Sequence, residues 1–166
     1  MAEADKNFGG AGFDIGQQIS SLDWVKVSQE LIDGFGKYTL DPDPFHIDPE
    51  WSEKHSPFGG TIAFGFFTVS MLTHLLHIAQ GSGARDVAAD PVMHGHYLNY
   101  GFNRLRLVSP VHIGKRIRGV FEIKDLIVDE KDRSIVTFDV MIEIEDEERP
   151  ALVADWLAIW IPGEAK

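Results

Sequence analysis

A chain of 166 residues, 44% apolar and 25% charged, has the make-up of one soluble domain large enough to bury its own core. The absence of cysteine excludes disulfides, thiolate nucleophiles, zinc–thiolate sites and iron–sulfur clusters. A net charge of −11 argues against nucleic acid or an anionic membrane as partner.

The opening MAEADKNFGGAGFDIG has no basic segment followed by an apolar one, so no signal peptide is expected. Residues 1–20 read as loose, with Phe13 and Ile15 as docking points, and residues 21–166 as a single domain. Trp24–Val27 reads as a short edge strand. Ser28 stands where an N-cap belongs, before a helix reaching Tyr38 with Leu31, Ile32 and Phe35 as its apolar stripe. Gly34 and Gly36 weaken that helix. Pro42 and Pro44 stop it and favour extended backbone at Asp41 and Asp43. Asp41 and His46 are therefore expected on a rigid, non-helical loop. Asp48-Pro49 then reads as a cap and first residue of another turn.

From Thr61 to Ala79 apolar residues cover nearly the whole circumference of a helix, which must therefore be surrounded. This run is too short and too polar, with Thr68, Ser70, Thr73, His74 and His77, to span a bilayer, so a cytoplasmic protein is expected. Residues 84–93 read as a polar connection. The remainder reads as strands at Tyr97–Val108, Arg116–Val128, Ser134–Ile144 and Val153–Ile161. Val136, Phe138, Val140, Ile142 and Ile144 alternate on one face of the third. Asp125–Asp132 and Glu143–Glu148, where the acidic excess concentrates, read as solvated hairpin turns.

A long antiparallel sheet after an all-round apolar helix is satisfied if the sheet curls around the helix. That is the hot-dog architecture, an α+β fold. The last strand is apolar on both faces, Val153, Leu157, Ile159 and Ile161 against Trp156 and Trp160. A partner on its outer face is expected, making a homodimer or higher homo-oligomer.

Asp41-Pro42-Asp43-Pro44-Phe45-His46, then Asp48, then Gly60-Thr61-Ile62-Ala63-Phe64-Gly65, resembles the two-part motif of MaoC-like dehydratases and (R)-specific enoyl-CoA hydratases. NYGFNRLRLVSPVHIGKRIRG, Asn99–Gly119, is similar to the NodN-like branch, named for a nodulation protein. The matches cover roughly residues 24–160. Leu40, Asp43 and Phe64 stand where the family usually has Gly, Asn and His. The resemblance implies a hydro-lyase acting on a 2-enoyl or (R)-3-hydroxyacyl thioester, carried by CoA or an acyl-carrier protein. Asp41, His46 and Gly65 match the functional positions. No cofactor is implied beyond the CoA part of the substrate.

Hydration needs an activated water at C3, a proton for C2 and stabilisation of the charge on the thioester oxygen. Asp41 and His46 are the candidates for the proton work, and the Gly65 N–H at a helix start for the oxyanion. The blander account makes Asp41 a loop residue and His46 a packed histidine. Asp43 and Asp48 flank His46 and could orient it, although a helix cap is the simpler account of Asp48. Gly60, Ile62, Phe64 and Thr73 are placed at the helix entrance or along the helix as substrate-binding candidates. Arg104 and Arg106 could meet CoA phosphates or simply be solvated. His74 with His77, and His94 with His96, have metal-ligand spacing but no third ligand, so no metal is expected. No Gly-x-Ser-x-Gly elbow surrounds Ser70. A hot-dog thioesterase and a non-catalytic acyl-CoA binding module remain the alternatives.

Overall fold

The computed structural model describes residues 15–21, 23–80, 96–130 and 133–161. Its frame is an antiparallel six-stranded sheet. The strands are β1 (Gln18–Ser20), β2 (Val25–Lys26), β3 (His96–Leu107), β4 (Arg116–Val128), β5 (Ser134–Ile144) and β6 (Leu152–Ile161). The order is β1-β4-β5-β6-β3, and β2 also pairs with β4. The alternation read in the sequence sets β5: Val136, Phe138, Val140 and Ile142 are at most 1% exposed. They meet Phe121, Ile117 and Ile123 of β4 in one core cluster.

The helices are α1 (Gln29–Thr39), α2 (Pro44–Ile47), α3 (Pro49–His55), α4 (Gly65–Ser70) and α5 (Leu72–Ala79). The last two lie across the sheet, with Phe67, Leu72, Leu75 and Leu76 in the core. Gly119 of β4 leaves room for the Phe121 ring, which a Cβ there would strike, and for α5, whose Leu75 Cβ would lie 3.0 Å away. The hot-dog arrangement of an antiparallel sheet packed on a central helix is present.

Several expectations need correction. The apolar run does not start as helix at Thr61. Thr61–Ala63 is extended and bonded to the chain at Val111–Ile113, with Ala63 N–H donating to Val111 O at 2.8 Å and Ile113 N–H to Thr61 O at 3.1 Å. Nor is the helix surrounded on all sides within one chain: Phe66, Ser70 and Thr73 form an exposed stripe, with Phe66 78% exposed. The loose segment expected over 1–20 contains β1, whose Ile19 pairs with Phe121. Ile15 is exposed rather than docked; Phe13, His94 and the 84–93 connection lie outside the described residues.

β6 lies between β5 and β3, with Ala154, Trp156 and Ala158 buried on its core face and Val153, Leu157 and Ile161 half-buried on the other. Exposed apolar side chains also stand on the edge strand β3, at Leu98, Tyr100 and Phe102, where a bulge interrupts its pairing with β6. The acidic turn after β5 is not simply solvated, because Glu143, Glu145 and Glu147 pair with Arg118, Arg116 and Lys115. Among the described residues no helix is long and apolar enough to cross a membrane.

Candidate active site

The site is assembled where three short elements converge: the end of α1, the single turn α2 and the Thr61–Gly65 segment. Ser28 caps α1 as expected, its Oγ accepting from Leu31 N–H at 3.3 Å. The helix ends at Leu40, which is left-handed at φ 59°. Asp41 N–H reaches back to Gly36 O at 3.0 Å, so the last turn of α1 fixes where the Asp41 backbone sits.

His46 is helical, not on an extended loop. Asp43 caps α2, its Oδ1 accepting from Phe45 N–H at 3.0 Å, and Pro44 occupies the first turn. Asp48 in turn caps α3, accepting from Trp51 N–H at 2.9 Å. Both carboxylates that flank His46 are thus engaged by backbone N–H groups next to them. The Asp41 carboxylate accepts from Asp43 N–H at 3.3 Å. Among the described residues no hydrogen bond joins the Asp41 and His46 side chains directly.

The His46 ring is fixed on two sides. Nδ1 lies 2.8 Å from Ile62 O. A carbonyl can only accept, so Nδ1 carries the proton and Nε2 of the neutral ring keeps its lone pair. Phe64 lies against the ring with centroids 3.9 Å apart and 34° between planes. Phe64 is 4% exposed and is also packed on Phe35. It therefore serves as the floor beneath the imidazole.

The backbone behind His46 is clamped by Gln29, which sequence reasoning missed. Gln29 Nε2 donates to His46 O at 2.7 Å, and Gln29 Oε1 accepts from Thr61 Oγ at 2.8 Å. Phe45 O accepts from Ile62 N–H at 3.2 Å. Ile62 thus holds the His46 turn through both of its backbone groups. Its own place is set by the antiparallel bridge to His112. No sequence spacing signals contacts 32 residues apart.

Gly65 opens α4. A Cβ there would collide with a Leu107 methyl, so the glycine brings the end of β3 against the helix start. Gly60 sits in the turn before Thr61 with open space around its α-carbon. Thr73 lies on the exposed stripe of the helix pair, and Ser70 bonds back to Phe66 O at 2.7 Å. Arg106 is exposed and donates to Leu105 O at 2.9 Å. Arg104 is exposed opposite Asp155, which is paired with Lys124 at 2.8 Å. Among the described residues no hydrogen bond or ring contact links Thr73, Arg104 or Arg106 to Asp41 or His46. No cluster of three or more metal-ligating side chains occurs among the described residues.

Residues 11–145 match the family model described as the MaoC like domain. The chain belongs to the MaoC-like domain family. It is 39% identical over 145 residues to nodulation protein N of Rhizobium leguminosarum bv. viciae, covering 87% of this chain and 85% of that one. A 3-hydroxyacyl-thioester dehydratase Z of Mycobacterium tuberculosis is 30% identical over 148 residues, 88% of this chain and 90% of that one. Among solved structures, a MaoC-like dehydratase from Rhodospirillum rubrum superposes with a TM-score of 0.69 at 22% identity, covering 93% of this chain and 96% of that one. The (R)-hydratase from A. caviae involved in PHA biosynthesis superposes at 0.66 with 19% identity, covering 88% and 96%. The structural likenesses carry the hot-dog fold; the family rests on the sequence matches.

Proposed function

We propose that this MaoC-like chain is a hydro-lyase that adds water to a 2-enoyl thioester, or removes it from the (R)-3-hydroxyacyl thioester, with CoA as the carrier. The observation that carries the reading is the bond from His46 Nδ1 to Ile62 O at 2.8 Å. It leaves Nε2 as a base of fixed direction, beside a loop that presents a carboxylate at Asp41. A water held between Nε2 and the Asp41 carboxylate loses its proton as its oxygen bonds to C3. C2 takes a proton from the same pair, and the negative charge that builds on the thioester oxygen meets the Gly65 N–H. The name of the mycobacterial relative supports the same substrate class. The oligomer belongs to this reading too: Leu98, Tyr100 and Phe102 on β3 offer an apolar edge to a second copy.

The test is an absorbance assay with crotonyl-CoA, with a thiol reagent in a parallel cuvette. Loss of the conjugated enoyl band without thiol release is expected. Release of free thiol would instead assign a thioesterase, and binding of acyl-CoA without turnover a binding module.

A further inference from the structure

Leu40 is costly where it stands. Its backbone is left-handed at φ 59° and ψ 33°, a conformation that glycine or asparagine adopts with less strain. Its side chain is 87% exposed, so the strain is not offset by packing within the chain. Asp146, the other non-glycine residue at positive φ among the described residues, is a short polar residue suited to that region. Strain combined with exposure of a large apolar group points to a function at that position.

Leu40 also lines a cleft of about 490 Å³ with Gly36, Pro42, Ile47, Lys37 and Asp41. That volume lies within the range of small-molecule sites, roughly 300–1,000 Å³. The wall is mainly apolar, and its charges, Asp33, Asp41 and Lys37, leave no positive excess to hold phosphates. An apolar chain fits it better than the phosphorylated end of CoA. Asp41, which carries the candidate catalytic carboxylate, is itself part of the lining, so a chain lying in the cleft runs along that residue.

We propose that this cleft takes the acyl chain of the thioester and that Leu40 is a specificity-determining residue covering it. The inference rests on the hydro-lyase reading, which places the reacting carbons near Asp41. Bound substrate would shield the Leu40 side chain from water, and each methylene buried there favours longer chains.

The experiment compares Leu40→Ala and Leu40→Gly with the unaltered protein on crotonyl-CoA and trans-2-octenoyl-CoA. Both variants are expected to raise KM for the octenoyl substrate roughly tenfold, the scale of lost apolar contact in a pocket. The rise for crotonyl-CoA is smaller and kcat is unchanged. Leu40→Gly is expected to melt no lower than the unaltered protein, which separates lost contact from lost structure. Equal KM shifts for both substrates would place Leu40 on the carrier portion and overturn the assignment. Unchanged KM, or a change in oligomeric mass instead of KM, would overturn it as well. Should the unaltered protein turn over neither substrate, the hydro-lyase reading fails, and calorimetry with octanoyl-CoA and free CoA decides the cleft separately. Roughly tenfold weaker octanoyl-CoA binding in Leu40→Ala supports the cleft; equal binding overturns it.

Discussion

Gly36 gives the sharpest test of how α1 positions the site. A Cβ at Gly36 would lie 2.9 Å from Asp41 O, 3.0 Å from Phe64 Cζ and 3.1 Å from Ile47 Cγ2. All three walls belong to the site: the Asp41 backbone, the floor of the His46 ring and the residue after His46. The Asp41 backbone is itself tied to the helix, because its N–H is bonded to Gly36 O at 3.0 Å. Gly34, two residues earlier in the same helix, has nothing within 4 Å of its own added Cβ. Gly→Ala in a helix interior gains about 1 kcal/mol from backbone propensity. Overpacking at Gly36 costs about 1–3 kcal/mol. Gly34→Ala should therefore stabilise by up to about 1 kcal/mol, while Gly36→Ala should lose up to about 2 kcal/mol. Urea unfolding at matched protein concentration reads the difference. Because a displacement of about 1 Å near reacting groups can cost on the order of a hundredfold, kcat/KM should fall at least about tenfold in Gly36→Ala and be unchanged in Gly34→Ala. Two variants that both gain stability and both keep full activity would refute the packing argument.

Two further predictions concern partly buried side chains away from the site. Among the described residues Tyr97 Oη is buried without a hydrogen-bond partner, and burial pushes its pKa from 10.0 up to about 12. The folded state therefore holds this proton more tightly than the unfolded chain, so the contribution is complete below pH 10 and is lost as pH rises through 10 toward 12. Tyr97→Phe should raise stability by about 1 kcal/mol, by removing an unpaired hydroxyl, and should flatten the alkaline limb; a marked loss of stability would contradict the orphaned hydroxyl. His77 has its pKa held below 6.5 by burial, with His74 adding repulsion. Its unfolded form binds the proton more readily, so stability is fully present above pH 6.5 and is lost as pH falls below it. His77→Gln should reduce the drop in Tm between neutral and mildly acidic buffer, and an unchanged drop would refute the assignment.

What the sequence revealed depended on whether the cause was local. β4 and β5 have the expected bounds, Arg116–Val128 and Ser134–Ile144, because one buried face dictates a two-residue alternation. The caps at Ser28 and Asp48 were equally readable, since a side-chain oxygen and the next N–H groups suffice. Asp43-Pro44 carries the same cap-and-proline signal as Asp48-Pro49. Reading its proline only as a helix breaker hides the turn that holds His46. Thr61–Ala63 belongs to the apolar run but is extended, because Thr61 and Ile62 are β-branched and the segment pairs with Val111–Ile113. β1 has three residues and no pattern of its own; its partner β4 defines it. Asp41, His46 and Gly65 are singled out through the resemblance to the MaoC-like motif. The Gln29 clamp, the Ile62 carbonyl and the role of Phe64 as a floor exist only once the chain is folded.

The central claim is that Asp41 and His46 act as one proton-handling unit, and the most direct measurement is crotonyl-CoA hydration by Asp41→Asn, His46→Gln and the double variant. Each single change should lower kcat/KM by about 10²–10⁴-fold. The double variant should fall scarcely further, as groups that act together are not additive. Near-normal rates in either single variant, or losses that multiply in the double, would contradict the account.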